Sequence, residues 1–175
     1  PIYKIHAAFV GLAHPHIFPR VQLLSAQPDV TIAGCYDPDP DLCAGVATRC
    51  DITAYDSLPA LLDQPGVNFV IIEGWDTDNP GYVQAALQRN QAVLVEKPGA
   101  PSLSAMQQIV QAVREAEVPF QVGYMLRFSA VVDHIQRILR EGVLGEITLA
   151  RFHAASPVGG AAEVWQSVPG DMGGV

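Results

Sequence analysis

The feature that most constrains this chain is an alternation of short apolar runs with longer segments of helical spacing, repeated from its start to Gly123. Ile2 to Val10, Val30 to Tyr36, Asn68 to Glu73, Ala92 to Val95 and Phe120 to Gly123 are rich in β-branched and small apolar residues, as strands buried on both faces are. A shorter extended piece covers Ile52 to Ala54. Between them, Ile17, Val21 and Leu24 recur at helical spacing within Pro15 to Ala26, and Asp37-Pro38 opens a helix to Arg49, Asp being a good N-cap and Pro suiting the first turn. Further helices are predicted over Ser57 to Leu62, Asn79 to Arg89 and Ser102 to Ala116. Strands alternating with helices in this way predict an α/β fold with a doubly wound, mostly parallel sheet and right-handed crossovers.

Beyond Gly123 the texture changes. A helix over Ser129 to Arg140 ends at Glu141-Gly142, and a long strand, Ile147 to Ala155, leads into a Gly/Pro-rich stretch. Residues 1–123 therefore read as one domain and 124–175 as the incomplete opening of a second. The chain starts at Pro1 and stops at Gly173-Gly174-Val175 in mid-element, so a fragment is expected.

Composition narrows the partners. With 49% hydrophobic and 16% charged residues the chain is neither disordered nor membrane-spanning in character, and a formal charge of -8 opposes binding to nucleic acid or anionic lipid. No run is long enough to cross a bilayer and no signal-peptide pattern opens the chain, so a cytoplasmic location is expected. Cys35, Cys43 and Cys50 are too widely and unevenly placed for a zinc knuckle or a disulfide framework and read as reduced thiols.

Ligands of open parallel sheets bind at the carboxyl ends of the strands. The first such loop is Gly11-Leu12-Ala13-His14-Pro15-His16. On the G-x-G-x-x-G pattern it keeps the first glycine, with Ala13 at the second and His16 at the third. It is either a phosphate cradle at a helix N-terminus or an ordinary strand-to-helix turn. His14 and His16 also form an H-x-H pair, but no carboxylate or cysteine lies near them in sequence, so no metal is assigned.

Asp37 ends the second strand twenty-six residues after Gly11, near the spacing at which an acid accepts hydrogen bonds from an adenosine ribose, and it also fits a helix N-cap. Asp39 and Asp41 follow with no Arg or Lys before Arg49, so a 2'-phosphate finds no local partner and NAD is favoured over NADP. After Glu73, Trp75, Asp76 and Asn79 lie in a polar loop placed to border the nicotinamide end, with helix capping as the plainer role of Asp78 and Asn79.

Glu96-Lys97-Pro98 follows the strand Ala92 to Val95 directly, and the chain has only one other lysine, Lys4. A lysine at this edge can hydrogen-bond a substrate hydroxyl and share in its proton transfer. The alternative is a surface lysine paired with Glu96.

Taken together, the glycine loop, Asp37, the Tyr82-Val83-Gln84-Ala85-Ala86-Leu87 stretch, Val93-Leu94-Val95-Glu96-Lys97-Pro98 and the later Val122-Gly123-Tyr124-Met125-Leu126-Arg127-Phe128 resemble the Gfo/Idh/MocA oxidoreductases in kind and order. The resemblance implies a doubly wound Rossmann domain holding NAD(P), followed by the start of an α+β domain whose mainly antiparallel sheet forms a substrate wall and often an oligomer interface. It implies that Gly11, Ala13, His14 and His16 cradle the phosphates, that Asp37 holds the ribose, and that Trp75, Asp76, Asn79 and Glu96 lie along the cofactor. Lys97 is then the catalytic contact to the reacting oxygen, with Tyr124 and Arg127 lining the substrate pocket or packing between domains. Gly170 to Val175 resembles the start of the helix that carries a later catalytic Asp and His in such proteins; Asp171 is not that Asp. His134 and His153 read as structural.

The expected function is hydride transfer between NAD and a sugar- or polyol-like carbinol, with poor turnover from this length of chain. The alternatives are an NAD-dependent glycosidase of the same fold and a non-catalytic dinucleotide-binding or regulatory protein.

Overall fold

The computed structural model describes residues 4–153. The predicted strands and helices form in order: β1 (Ile5–Val10), α1 (Ile17–Ser25), β2 (Val30–Tyr36), α2 (Pro40–Cys50), α3 (Leu58–Leu62), β3 (Phe69–Ile72), α4 (Asn79–Leu87), β4 (Ala92–Val95), α5 (Leu103–Ala116), β5 (Phe120–Val122) and α6 (Ala130–Arg140), with a 3-10 turn at Met125–Phe128 before α6. The strands make one five-stranded sheet in the order β2-β1-β3-β4-β5. Every pairing is parallel. The short extended piece predicted near Ile52 joins only through an isolated bridge between Cys35 and Ala54.

Both faces of the sheet are covered, which is why its strands read as continuous apolar runs rather than alternating ones. On one side Phe9, Leu12, Ile17, Val21, Val46 and Ile71 pack in a core with α1 and α2. On the other, Val10, Leu61, Val70, Ile72, Val83 and Ile109 pack with α3, α4 and α5. Strand order reverses around β1 and β3, and there the carboxyl-end loops of β1, β3 and β4 face one crevice.

Two sequence expectations are corrected here. The second helix is capped by Asp39, whose side chain accepts from the N–H groups of Asp41 and Leu42, with Pro40 in the first turn. Asp37 is thereby released from capping. The strand expected over Ile147 to Ala155 is absent over 147–153, where no described residue offers it a ladder partner and Leu149 and Phe152 are exposed. Its last two residues, and the Gly170 to Val175 stretch, lie outside the described residues. The exposed row of Val131, Ile135 and Leu139 on α6 is likewise uncovered among the described residues.

Cys35 and Cys43 are buried free thiols with sulfurs 4.0 Å apart, and burial pushes the Cys35 thiol up to about 12. No described helix is long and apolar enough to cross a membrane.

Candidate active site

The first loop is fixed to its neighbours before any ligand is considered. Gly11 donates to the Tyr36 carbonyl at 2.9 Å and His14 to the Glu73 carbonyl at 2.9 Å, tying the end of β1 to the ends of β2 and β3. Gly11 has φ +64°, and a Cβ there would lie 2.5 Å from Gly74 Cα, so both the turn and the close approach of two loops require glycine.

Asp37 holds this loop from the other side. Its Oδ2 accepts the Leu12 N–H at 2.7 Å and its Oδ1 the Asp39 N–H at 2.9 Å. Burial raises the Asp37 pKa, against the lowering effect of those two N–H donors. Each carboxylate oxygen keeps a second acceptor site. Beside it opens a cavity of about 410 Å³ lined by Tyr36, Asp37, Cys43, Ala54, Tyr55 and Asp56 among others. Its volume is that of a small-ligand pocket, and its charged side chains are acidic.

The centre of the strand-end crevice is a charged cluster. Arg20, from α1, places Nη1 2.7 Å from Glu73 Oε1 and donates from Nη2 to Glu96 Oε2. Glu73 follows β3 and Glu96 follows β4, and they are 0% and 1% exposed. His16 Nδ1 lies 3.3 Å from Glu96 Oε2, and His14 Nδ1 lies 3.7 Å from Glu73 Oε2. The two rings stand edge to face, 4.2 Å between centroids. Carboxylates that the sequence lacks beside the H-x-H pair thus arrive from two other strands.

Burial sets the protonation of this cluster. It lifts Glu73 to about 8, beyond what the nearby Arg20 charge offsets. Burial works the same way on Glu96, but the His16 hydrogen bond and the charges of Arg20 and the two histidines hold that carboxyl below its usual range. His14 is lowered to about 4, first by burial and then by His16. At neutral pH its imidazole is uncharged, so the contact with Glu73 is not an ion pair.

Lys97 is half-buried immediately after Glu96, close enough to His14 for its charge to help lower that imidazole's pKa. Its predicted alternative role as the surface partner of Glu96 is not formed: Glu96 pairs with Arg20 and His16. Ala13 and Trp75 are half-buried on the same loops, and Asp76 is 1% exposed. Asn79 is fully buried as the first residue of α4, and its side-chain amide has no hydrogen-bond partner among the described residues. Neither Asp78 nor Asn79 caps the helix: Asp78 occupies the cap position without a side-chain cap bond. Tyr124 precedes the 3-10 turn and Arg127 lies within it, and both are exposed. His134 accepts from Arg137 Nη2 at 2.9 Å on exposed α6, and His153 is exposed.

Arg20 was not legible as a site residue. Its one sequence signal is a cation set between Ile17, Val21 and Leu24 on a helix that packs against the sheet.

A Rossmann crevice with an acid at the end of β2 and Glu-Lys-Pro at the end of β4 has a counterpart among known proteins. The profile of the Gfo/Idh/MocA family, an oxidoreductase family with an NAD-binding Rossmann fold, matches residues 5–124. The chain belongs to this family. It is 25% identical to scyllo-inositol 2-dehydrogenase (NAD(+)) of Bacillus subtilis (strain 168), over 82% of this chain and 42% of that protein. To 2,7-anhydro-N-acetylneuraminate hydratase of Escherichia coli (strain K12) it is 30% identical, over 62% of this chain and 29% of that protein. A 3-ketoreductase from Actinomadura kijaniata in complex with TDP-benzene and NADP, in an open conformation, shares the fold. The TM-score is 0.70 at 20% identity, over 82% of this chain and 45% of that one. The chain spans less than half the length of these Gfo/Idh/MocA relatives.

Proposed function

We propose that this chain is the cofactor-binding part of an NAD-dependent oxidoreductase that transfers hydride between the nicotinamide and a carbinol of a sugar- or polyol-like substrate. The observation that carries the reading is the position of Lys97: it follows β4 at the strand-end crevice, beside His14 and free of Glu96. When bound, NAD supplies the hydride chemistry. The chain's own residues bind and orient. Asp37 accepts hydrogen bonds from the adenosine ribose at the 410 Å³ cavity, whose acidic lining supports NAD over NADP. The Gly11 to His16 loop and the start of α1 face the pyrophosphate.

Trp75, Asp76 and Asn79 border the nicotinamide end. Lys97 would hydrogen-bond the substrate oxygen, taking the hydroxyl proton on its amine as the carbinol becomes a carbonyl and returning it in the reverse direction. Tyr124 and Arg127, exposed next to Gly123, face the substrate side. Residues 1–123 form the dinucleotide-binding domain and 124–175 begin the substrate domain, whose sheet is where copies of the protein would associate.

A second reading shares the first steps. The 30% identity to a hydratase acting on a sugar supports a redox-neutral cycle in which the carbinol would be oxidised, a substituent would leave by elimination, water would add in its place and the carbonyl would be reduced again, with no net change in NAD.

Substituting Lys97 by Ala tests the catalytic reading. NAD affinity is expected to persist while turnover of polyols or sugars falls roughly 10²- to 10⁴-fold, the usual contribution of a positioned acid–base group. Unchanged turnover contradicts it. NADH accumulation separates simple dehydrogenation from the redox-neutral cycle.

A further inference from the structure

We infer that His14, His16, Glu73 and Glu96 form a binding site for one divalent first-row transition-metal ion. One ligand atom from each of these four residues lies within 4.8 Å of the others. A tetrahedral ion with bonds of about 2.0–2.2 Å needs ligand atoms roughly 3.3 Å apart. Two spacings are already near that value: 3.3 Å from His16 Nδ1 to Glu96 Oε2, and 3.7 Å from His14 Nδ1 to Glu73 Oε2. The other pairs, within 4.8 Å, have to draw together, and His14 Nδ1, which accepts the His16 backbone N–H at 3.3 Å, has to turn to the ion.

An independent observation points to a missing partner. Glu73 is fully buried, yet its Oε2, the oxygen facing His14, has no hydrogen bond; Glu96 Oε1, on a residue 1% exposed, has none either. Buried carboxylate oxygens are normally paired or ligated. Arg20 faces the opposite oxygen of Glu73 at 2.7 Å and hydrogen-bonds Glu96 Oε2, the oxygen that also faces His16, so it stands as the outer cation behind both carboxyl groups. Two imidazoles and two carboxyl groups, with no thiolate among them, suit Zn2+ and its divalent neighbours better than Mg2+ or Ca2+, which prefer all-oxygen shells.

The site is held by three elements. His14 and His16 come from the loop after β1, and the two carboxylates from the ends of β3 and β4. It adjoins Lys97 without using it, so a bound ion would lie at the edge of the substrate crevice. Gly123 belongs to the same arrangement, because a Cβ there would lie 3.1 Å from Arg20 Nη2 and 3.2 Å from Glu96 Oε2.

The test is a Zn2+ titration of the chelator-treated chain against a chromogenic chelator, with no cofactor present, together with the visible spectrum of the Co2+ form. One ion per chain is expected, with affinity at least tenfold lower in His16→Ala, whose half-buried ring is the ligand most easily removed without unfolding the chain. Glu96→Gln is the second variant, and circular dichroism confirms that each is folded. The Co2+ spectrum should show four-coordinate nitrogen and oxygen ligation without a thiolate charge-transfer band. The inference is overturned by no stoichiometric binding, by a thiolate band that moves the ion to the cysteines, or by affinity that both variants leave unchanged. None of these outcomes depends on NAD binding or turnover.

Discussion

The carboxylate of Asp37 accepts the Leu12 N–H at 2.7 Å, so the acid that ends β2 also fixes the loop that ends β1. On the proposed function, cofactor recognition and loop order share one side chain. Asp37→Ala is expected to weaken NAD binding at least tenfold and to lower stability by about 1–2 kcal/mol, the scale of losing hydrogen bonds to a charged group. Calorimetric titration and urea unfolding measure the two effects. Intact NAD affinity would remove the ribose role.

The same residue gives a pH signature. Its folded pKa is raised above 3.8, so the folded state binds the proton more readily than the unfolded chain. Asp37's own contribution to stability is greatest below the unfolded value and is lost as pH rises through the folded one. Ribose binding requires the ionised form. NAD affinity is thus expected to decline on acidification at a higher pH than an exposed aspartate would give, and Asp37→Asn should abolish that pH dependence. A wild-type affinity that is flat from neutrality to the acid limit of folding contradicts this.

Arg20 stands between two buried carboxylates. Arg20→Ala should destabilise the fold by about 3 kcal/mol, because it leaves buried acids without their cation. Glu96→Gln in that background should restore part of the loss, because Glu96, held below its usual range while Glu73 is lifted to about 8, is the acid that stays charged at neutral pH. Equal stability of the Arg20→Ala single variant and the wild type in urea unfolding would show that the ion pairs carry no net stability.

Gly11→Ala tests the junction of the first and third strand loops. Its φ of +64° and the 2.5 Å approach of a Cβ to Gly74 Cα predict a loss of more than about 1 kcal/mol, read from a lowered midpoint in thermal unfolding, with NAD binding weakened as well. An unchanged midpoint would show that the loop relaxes.

What the sequence revealed depended on locality. The strands and helices up to Val122 were legible because each carries its own period and its own stop signal, as Ser102 does before α5 by accepting the Ala105 N–H. The cap of α2 was misplaced by one dipeptide because Asp37-Pro38 and Asp39-Pro40 offer the same local chemistry. The contact of Asp37 with Leu12 and the bonds of Asp39 to Asp41 and Leu42 separate them. Lys97 was visible from its place after an apolar strand. The Arg20, Glu73 and Glu96 cluster was not, because its members are brought together by the order of strands in the sheet. A strand over 147–155 was read from composition, but pairing makes a strand, and residues 147–153 have no described partner.

The most direct test of the central claim is a pair of calorimetric titrations of this chain, one with NAD and one with NADP, with Trp75 fluorescence as a second readout. Saturable NAD binding with much weaker NADP binding, lost in Asp37→Ala, is the predicted result. Equal or tighter binding of NADP, or no binding of either, would contradict the assignment of the Asp37 cavity to an adenosine with a free ribose.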